Sequence, residues 1–191
     1  KPMIISTGMA NAEEINEAIE AARDGGCKEL AVLHCVSSYP APAEDYNLMT
    51  LVDMKQQFGV ITGLSDHTID NTTALSSVAL GASIIEKHYT LDRNLPGPDH
   101  RASLEPNELT DMIRGIREIE KAMGSPEKTC RPCEQKNKPV MRKSLIANED
   151  IKKGDLLTDQ NLIIKRPGDG VSPMQYWNYL GKSADKDYEP D

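Results

Sequence analysis

Apolar runs alternate with amphipathic segments along the first 124 positions, a pattern typical of a parallel α/β protein. Four short apolar runs predict strands: MIIST, ELAVLHC, GVITGLS and ASIIEKH. The continuous apolar run of ELAVLHC is typical of a strand buried on both faces. The segment after each run carries apolar residues at helical spacing and predicts a helix. Four strand–helix units of roughly 20 to 30 residues match either half of a (β/α)₈ barrel or a small doubly wound sheet.

Two of the predicted helices carry terminal signals. NAEEINEAIEAARDGG starts with Asn11 as N-cap and Glu14 three residues on, the spacing of a capping box, and Gly25 or Gly26 ends it. PNELTDMIRGIREIEKAMG, the longest, has Pro106 near its start. Its apolar stripe consists of Leu109, Met112, Ile113, Ile116 and Ile119.

The strand–helix pattern ends at Gly124. The following SPEKTCRPCEQKNKPV is polar, contains three prolines and predicts a linker over residues 125–141. Short strands and turns are predicted for the three segments that follow, RKSLIA, DIKKGDLLT and NLIIKRPG. Their pattern differs from the strand–helix alternation of the first 124 residues. They predict a small β-rich domain over residues 142–191.

Composition narrows the class of protein. Of 191 residues, 38% are hydrophobic, with a single Phe and a single Trp, which indicates an aliphatic core. No apolar stretch approaches the roughly 18 residues of a membrane-spanning helix. The net charge of −8 argues against a nucleic-acid partner. We therefore expect a cytoplasmic protein that binds neither membrane nor nucleic acid. Because the net charge is negative, a small anionic substrate would have to be bound by local hydrogen-bond donors.

The four cysteines fall into two groups. Cys27 and Cys35 flank or lie in an apolar run and are predicted to be buried thiols. Cys130 and Cys133 have the spacing of a zinc-binding pair, but no second pair follows at comparable spacing. We interpret this CRPC segment as a loop with two thiols.

Polar residues follow each predicted strand, at the end where parallel α/β proteins gather their reactive groups. A period of two places Ser65 with His67 on one side of the third strand, and Glu86 with His88 on one side of the fourth. Neighbouring strands lie about 4.8 Å apart, so both imidazoles could reach one divalent ion and leave positions for water and substrate. The alternative is two structural histidines, each satisfied by a backbone partner.

Two loops add candidates for substrate binding. In LPGPDH, Asp99 and His100 could meet a sugar hydroxyl, or the segment could be a plain turn. In KRPGDG, Lys165 and Arg166 precede a Pro–Gly turn, and an arginine can bind a carboxylate or a polar acyl group. A solvated basic turn is the alternative.

Five blocks in order, LHCVSSYPAPAEDYNL, GLSDHT, ALGASIIEKHYTLD, PGPDHRASLEP and IKRPGDGVSP, closely resemble the sialic acid synthase family over essentially the whole chain. That family includes N-acetylneuraminate, legionaminate and pseudaminate synthases. The resemblance implies that residues 1–124 are strands five to eight of a TIM barrel, the C-terminal half of a (β/α)₈ fold. Residues 142–191 would be an antifreeze-like (SAF) domain, incomplete at its C-terminus.

The resemblance implies a transferase of sialic acid biosynthesis. Such an enzyme condenses phosphoenolpyruvate (PEP) with an N-acylmannosamine-type sugar to a nine-carbon 2-keto acid and releases phosphate. The implied cofactor is a divalent metal, Mn²⁺ with Mg²⁺ or Co²⁺ as alternatives, bound by His67 and His88. Two alternatives stay open: another PEP-dependent aldol-type synthase of the barrel class, and a non-catalytic carbohydrate-binding fragment.

The resemblance also implies roles for further residues. PEP would be bound by Ser6, Ser37 and Ser65, although some members carry Asn in place of Ser37. The sugar would be bound by Tyr39, Asp99 and, in trans from the partner subunit of a domain-swapped homodimer, Arg166. No catalytic residue is identified beyond the metal ligands, because a PEP-binding lysine and an acidic residue are implied on strands one to four.

Four of eight barrel strands cannot close into a barrel and leave open sheet edges. We therefore expect the 191-residue chain by itself to associate or to be poorly soluble, and to be inactive.

Overall fold

The computed structural model describes residues 1–190, which form two compact units, one of Lys1–Ser125 and one beginning at Pro126. The first unit alternates strands and helices in chain order. These elements are β1 (Met3–Ser6), α1 (Ala12–Asp24), β2 (Leu30–Cys35), α2 (Thr50–Phe58), β3 (Ile61–Asp66), α3 (Thr72–Ala79), β4 (Ile85–Lys87) and α4 (Pro106–Met123). Short 3₁₀ turns lie at Ala43–Tyr46 and His100–Ala102.

All strand pairs of the first unit are parallel, and the strand order β1-β2-β3-β4 follows the chain. The sheet is curled, and its order never reverses as it would in a doubly wound sheet. The prediction of the C-terminal half of a (β/α)₈ barrel is therefore confirmed. Because all its strands are parallel, their carboxyl ends share one edge of the sheet.

The core of the first unit lies between the sheet and its helices. Val32 of β2 is fully buried and belongs to one cluster with Ile19 of α1 and Met54 of α2. Cys27 and Cys35 are buried, as predicted from their apolar surroundings. Burial of these aliphatic side chains anchors β2, and burial of Leu64 with Tyr46 anchors β3; the two strands position most of the site.

The helix signals are confirmed in detail, with one exception in the apolar stripe. Asn11 Oδ1 accepts from Glu14 N at 3.0 Å, Glu14 Oε2 accepts from Asn11 N at 2.8 Å, and Gly25 is the C-cap of α1. In α4, Met112 is buried, whereas Ile113 is 47% exposed, against the prediction. One residue turns a helix by about 100°, so Ile113 leaves the face that Met112 buries.

One glycine of β3 is required by close packing. A Cβ built on Gly63 would lie against the Ile84 carbonyl oxygen and 2.5 Å from Leu33 Cδ2. Because the Ile84 oxygen is a backbone atom, it cannot rotate away. Gly63 thus allows β3 to lie tightly between β2 and the segment that leads into β4.

The second unit is built on a small antiparallel pair. Its elements are α5 (Lys138–Met141), β5 (Ser144–Ala147), β6 (Leu162–Lys165) and α6 (Tyr176–Tyr179), with 3₁₀ turns at Pro132–Glu134 and Pro173–Gln175. DIKKGDLLT forms no strand: it makes isolated bridges at Ile151 and Leu156 to partners near the end of the described chain. Residues 131–141, within the predicted linker 125–141, are exposed and include a 3₁₀ turn and one helical turn.

Two further observations concern the described residues as a whole. Cys130 and Cys133 are free thiols, and residues 1–190 contain no group of three or more His, Cys, Asp or Glu side chains that could hold a metal ion. No helix in this range is long and apolar enough to cross a membrane.

Candidate functional site

Two histidines lie side by side at the carboxyl ends of β3 and β4. The register pairs Ser65 with Glu86 and Asp66 with Lys87, so the next pair along the two strands is His67 and His88. Their ring centroids are 5.3 Å apart. This spacing lets one small ion lie between the two imidazoles.

The hydrogen bonds of His67 fix which ring nitrogen is free. His67 Nδ1 lies 2.8 Å from the carbonyl oxygen of Val36, an atom that can only accept, so Nδ1 carries the proton of the neutral ring. His67 Nε2 lies 3.5 Å from Ser65 Oγ, but that hydroxyl donates its one proton to Glu86 Oε1 at 2.7 Å. The Nε2 lone pair is therefore available to a ligand.

A buried tyrosine holds the backbone on either side of Asp66, at the end of β3. Tyr46 is 1% exposed, its hydroxyl donates to Ser65 O at 3.0 Å, and it accepts from His67 N at 2.6 Å. Burial raises the pKa of Tyr46, so the phenol stays protonated and can make both bonds at once. Tyr46 thereby fixes the start of the turn that carries His67.

A second aromatic ring covers the pair. Tyr39 is 56% exposed, and its ring centroid lies 4.3 Å from that of His67 and 5.7 Å from that of His88. A cavity of about 230 Å³ opens beside it, lined by His67, Glu86, Lys87 and His88. The cavity presents imidazole nitrogens and a carboxylate, and both can meet a polar ligand.

The lysine at this cavity is not free to bind an anion. Lys87 Nζ lies 2.8 Å from Asp66 Oδ2 and 2.6 Å from the carbonyl oxygen of Thr68. The side chains of Lys87 and Asp66 are 3% and 0% exposed. Its positive charge is therefore neutralised within the protein, behind the histidines.

The imidazole nitrogens of His67 and His88 fit a divalent transition-metal ion. Neutral imidazole is a common ligand of divalent transition-metal ions, Mn²⁺ additionally favours oxygen ligands such as carboxylate and water, and His67 Nε2 has its lone pair free. Within residues 1–190, the ring nitrogens of His88 make no hydrogen bond to the protein, so that ring is also available. Two ligands from this chain would leave the remaining positions to water, substrate or other protein groups.

The three serines predicted to bind PEP lie at the ends of β1, β2 and β3. Ser6 ends β1, and the neighbouring Thr7 Oγ1 accepts from Cys35 N at 3.1 Å, which ties the ends of β1 and β2 together. A Cβ on Gly8 would lie 3.6 Å from Ser37 Oγ, so Ser37 lies against the turn after β1. Ser65 is 1% exposed and bonded to Glu86.

Asp99, a predicted sugar-binding residue, makes no contact with the two histidines within the described residues of the first unit. Asp99 precedes the 3₁₀ turn after β4, where its carbonyl oxygen accepts from Ser103 Oγ at 2.7 Å. His100 bonds through Nδ1 to Thr90 Oγ1 at 2.7 Å, so it holds this loop in place. Arg166 belongs to the second unit, and its Nε donates to Met141 O at 2.9 Å.

Sequence reasoning gave no role to four residues of the site: Tyr46, Asp66, Glu86 and Lys87. A signal existed for Glu86, because a period of two places it on the same side as His88. Asp66 and Lys87 directly precede the two histidines, but their pairing depends on a register that no local pattern gives. Nothing in the sequence around Tyr46 indicates that its hydroxyl would reach His67.

Comparison with known proteins gives a consistent family. The model described as the NeuB family matches residues 1–128, and the model described as the SAF domain matches residues 142–191. An N,N'-diacetyllegionaminic acid synthase of Campylobacter jejuni is 48% identical over 193 residues, which cover 100% of this chain and 58% of the relative. A pseudaminic acid synthase of C. jejuni is 39% identical and covers 99% of this chain and 55% of the relative.

A solved structure agrees. The N-acetylneuraminic acid (sialic acid) synthetase of Leptospira borgpetersenii, crystallised in complex with citrate, aligns with a TM-score of 0.65 at 38% identity. The alignment covers 71% of this chain and 47% of that one. The chain spans about half the length of the curated relatives that it matches.

Proposed function

This chain belongs to the NeuB family, and from that premise we propose that it is part of a sugar-acid synthase that condenses PEP with an N-acylated mannosamine-type sugar. Carbon 3 of PEP bonds to the aldehyde carbon of the open-chain sugar. Water adds to carbon 2, the bond from that carbon to the phosphate oxygen breaks, and inorganic phosphate leaves. The product is a nine-carbon 2-keto acid.

One observation carries this proposal: two histidines side by side with their metal-binding nitrogens free. The rings of His67 and His88 lie 5.3 Å apart, and Val36 O fixes the tautomer of His67 with Nε2 unprotonated. We propose that these two residues hold Mn²⁺, with Mg²⁺ or Co²⁺ as alternatives. A divalent ion bound there supplies Lewis-acid polarisation of the sugar's aldehyde oxygen.

The residues around the histidines are suited to bind and orient the two substrates. Ser6, Ser37 and Ser65 lie at consecutive strand ends and can donate hydroxyl protons to the anionic groups of PEP. Ser65 must turn its proton away from Glu86 to do so. The exposed ring of Tyr39 beside both histidines can pack against the sugar.

Glu86 and Lys87 have different tasks in this scheme. The Glu86 carboxylate lines the cavity and can accept hydrogen bonds from sugar hydroxyls. Lys87 lines the same cavity, but its ammonium is committed to Asp66 and Thr68. Lys87 is therefore not a candidate for the PEP-binding lysine that the resemblance implies.

The assembly is part of the same proposal. We propose a cytoplasmic homodimer in which Arg166 of one subunit reaches the sugar bound by the other. In the full-length enzyme, mixing an Arg166→Ala variant with a His67→Ala variant then restores activity, since one site of each mixed dimer is intact and the other carries both defects. If Arg166 acts on its own subunit's site, every site stays damaged and mixing restores nothing.

A phosphate-release assay tests the reaction. The chain is assayed alone and joined to the remaining portion of the C. jejuni legionaminate relative, with PEP, Mn²⁺ and each of several N-acylated amino sugars. We expect the joined protein to release phosphate only when PEP, Mn²⁺ and one of the sugars are all present. His67→Ala and His88→Ala should abolish release, whereas Lys152→Ala, on the exposed surface of the second unit, should retain it. No phosphate release from either protein with any sugar would contradict the proposal.

A further inference from the structure

We propose that the buried Asp66–Lys87 ion pair is a positioning device that sets the separation and orientation of the two metal-binding histidines; this inference rests on the proposed function. The pair joins the residue before His67 to the residue before His88. It therefore connects the two strands directly next to their ligands.

Asp66 makes three hydrogen bonds that close the turn around His67. Its Oδ1 accepts from the backbone N of Thr68 at 2.9 Å and from Thr68 Oγ1 at 2.8 Å. Its Oδ2 accepts from Lys87 Nζ at 2.8 Å. His67 lies between Asp66 and Thr68, so these bonds fix the backbone on both sides of it.

Lys87 connects the same turn to β4. Besides Asp66, its ammonium donates to Thr68 O at 2.6 Å and approaches Thr68 Oγ1 at 3.4 Å. Lys87 directly precedes His88, so a shift of either strand end would break at least one of these bonds. The turn after β3 and the end of β4 are thus held as one rigid piece.

The opposite face of the two strands carries a second link. Ser65 Oγ bonds to Glu86 Oε1 at 2.7 Å, one residue before Asp66 and Lys87 on the two strands, and successive side chains of a strand alternate between its faces. The two strands are joined from both faces immediately before His67 and His88. A well-fixed pair of ligands requires a connection of this kind, because outer partners orient metal-binding side chains.

Stability alone does not explain a charged pair at this position. Burying two charges costs several kcal/mol per ion, and well-packed apolar residues often replace such a pair without loss. What an apolar pair cannot supply is a set of directional bonds to the turn around His67. The geometry therefore points to a role in positioning the ligands.

The test compares metal binding with stability in matched variants of this chain. Lys87→Met and the double variant Asp66→Asn/Lys87→Met remove the ion pair, and the double variant leaves no unpaired buried charge. Lys87→Arg keeps the charge and the donors. Lys152→Met is the control, because Lys152 also pairs with an aspartate, Asp187, at 3.3 Å, but with both side chains more than half exposed.

Three readouts separate the positioning role from a structural one. The free Mn²⁺ signal in electron paramagnetic resonance gives affinity, the visible spectrum of bound Co²⁺ reports coordination geometry, and circular dichroism confirms folding. We expect the double variant to fold, to bind Mn²⁺ about 10-fold to 100-fold more weakly, and to change the Co²⁺ spectrum. Lys87→Arg should recover most of the affinity, and Lys152→Met should match the parent chain.

Each outcome supports or overturns the inference. Folded variants with the parent affinity and the parent Co²⁺ spectrum would show a purely structural pair and overturn it, while the metal site would stand. A parent chain that binds neither Mn²⁺ nor Co²⁺ would overturn the metal site of the proposed function and this inference together.

Discussion

Tyr46→Phe tests whether one hydroxyl holds the backbone of the site. The substitution keeps the buried ring, which packs with Ala41 and Leu64, and removes only the hydroxyl. That hydroxyl is the partner of the His67 amide at 2.6 Å and of the Ser65 carbonyl at 3.0 Å. An unsatisfied buried backbone group costs about 1–3 kcal/mol, so we expect a loss of about 2 kcal/mol in the free energy of unfolding of the first unit.

The two units can be followed by separate signals. The helices of eight or more residues, α1 to α4, all lie in the first unit, whereas the single tryptophan, Trp177, lies in the second. Far-ultraviolet circular dichroism in urea therefore reports mainly the first unit, and tryptophan fluorescence reports the second. With a urea dependence of about 2 kcal/mol per molar, Tyr46→Phe should lower the midpoint of the dichroism transition by about 1 M.

The control is a Tyr→Phe change at an exposed hydrogen bond. Tyr188 donates to Asp185 Oδ1 at 2.6 Å in the second unit. Tyr188→Phe should leave the dichroism midpoint unchanged. An unchanged dichroism midpoint in Tyr46→Phe, or equal shifts of both signals, would refute the assignment of this hydroxyl to the site's backbone.

Two further substitutions test the packing and electrostatics of the first unit. Gly63→Ala places a methyl group against the Ile84 carbonyl and should cost about 3 kcal/mol, whereas Gly25→Ala should change stability little; equal effects in urea would contradict the close approach. The backbone N–H of Glu105 and the Arg93 side chain lower the pKa of Glu108. The ionised carboxylate therefore stabilises the fold at pH values above the ordinary pKa of a glutamate, and this stabilisation is lost as the pH falls through the lowered pKa. Glu108→Gln should therefore cost about 1 kcal/mol at pH 7, after allowance for solvent screening, and less at pH 3; the same cost at both pH values would contradict this.

Local patterns were sufficient for the strands and helices of the first unit and for the family. Asn11 with Glu14 indicated a capping box, and the apolar runs indicated β1 to β4, because burial and capping act over a few residues. The ordered motifs indicated the sialic acid synthase family, and the NeuB and SAF matches confirm it. The width of the buried face of a helix was harder to predict, because Ile113 is as apolar as the buried Met112 but lies on another face of α4.

The internal contacts of the site could not be predicted in the same way. The Asp66–Lys87 pair joins residues 21 positions apart, and the bond from His67 to Val36 O spans 31. Both depend on the parallel register and on the path of turns, which are set by packing of the whole sheet. The tautomer of His67, and so the availability of its Nε2, follows from the second of these contacts.

The central claim is that His67 and His88 bind the same divalent ion. Electron spin-echo envelope modulation of bound Mn²⁺ detects the nitrogen nuclei of coordinated imidazole. We predict modulation from two imidazole nitrogens in the parent chain, from one in His67→Ala and in His88→Ala, and from none when both are replaced. Bound Mn²⁺ that shows no imidazole modulation in the parent chain would contradict the claim.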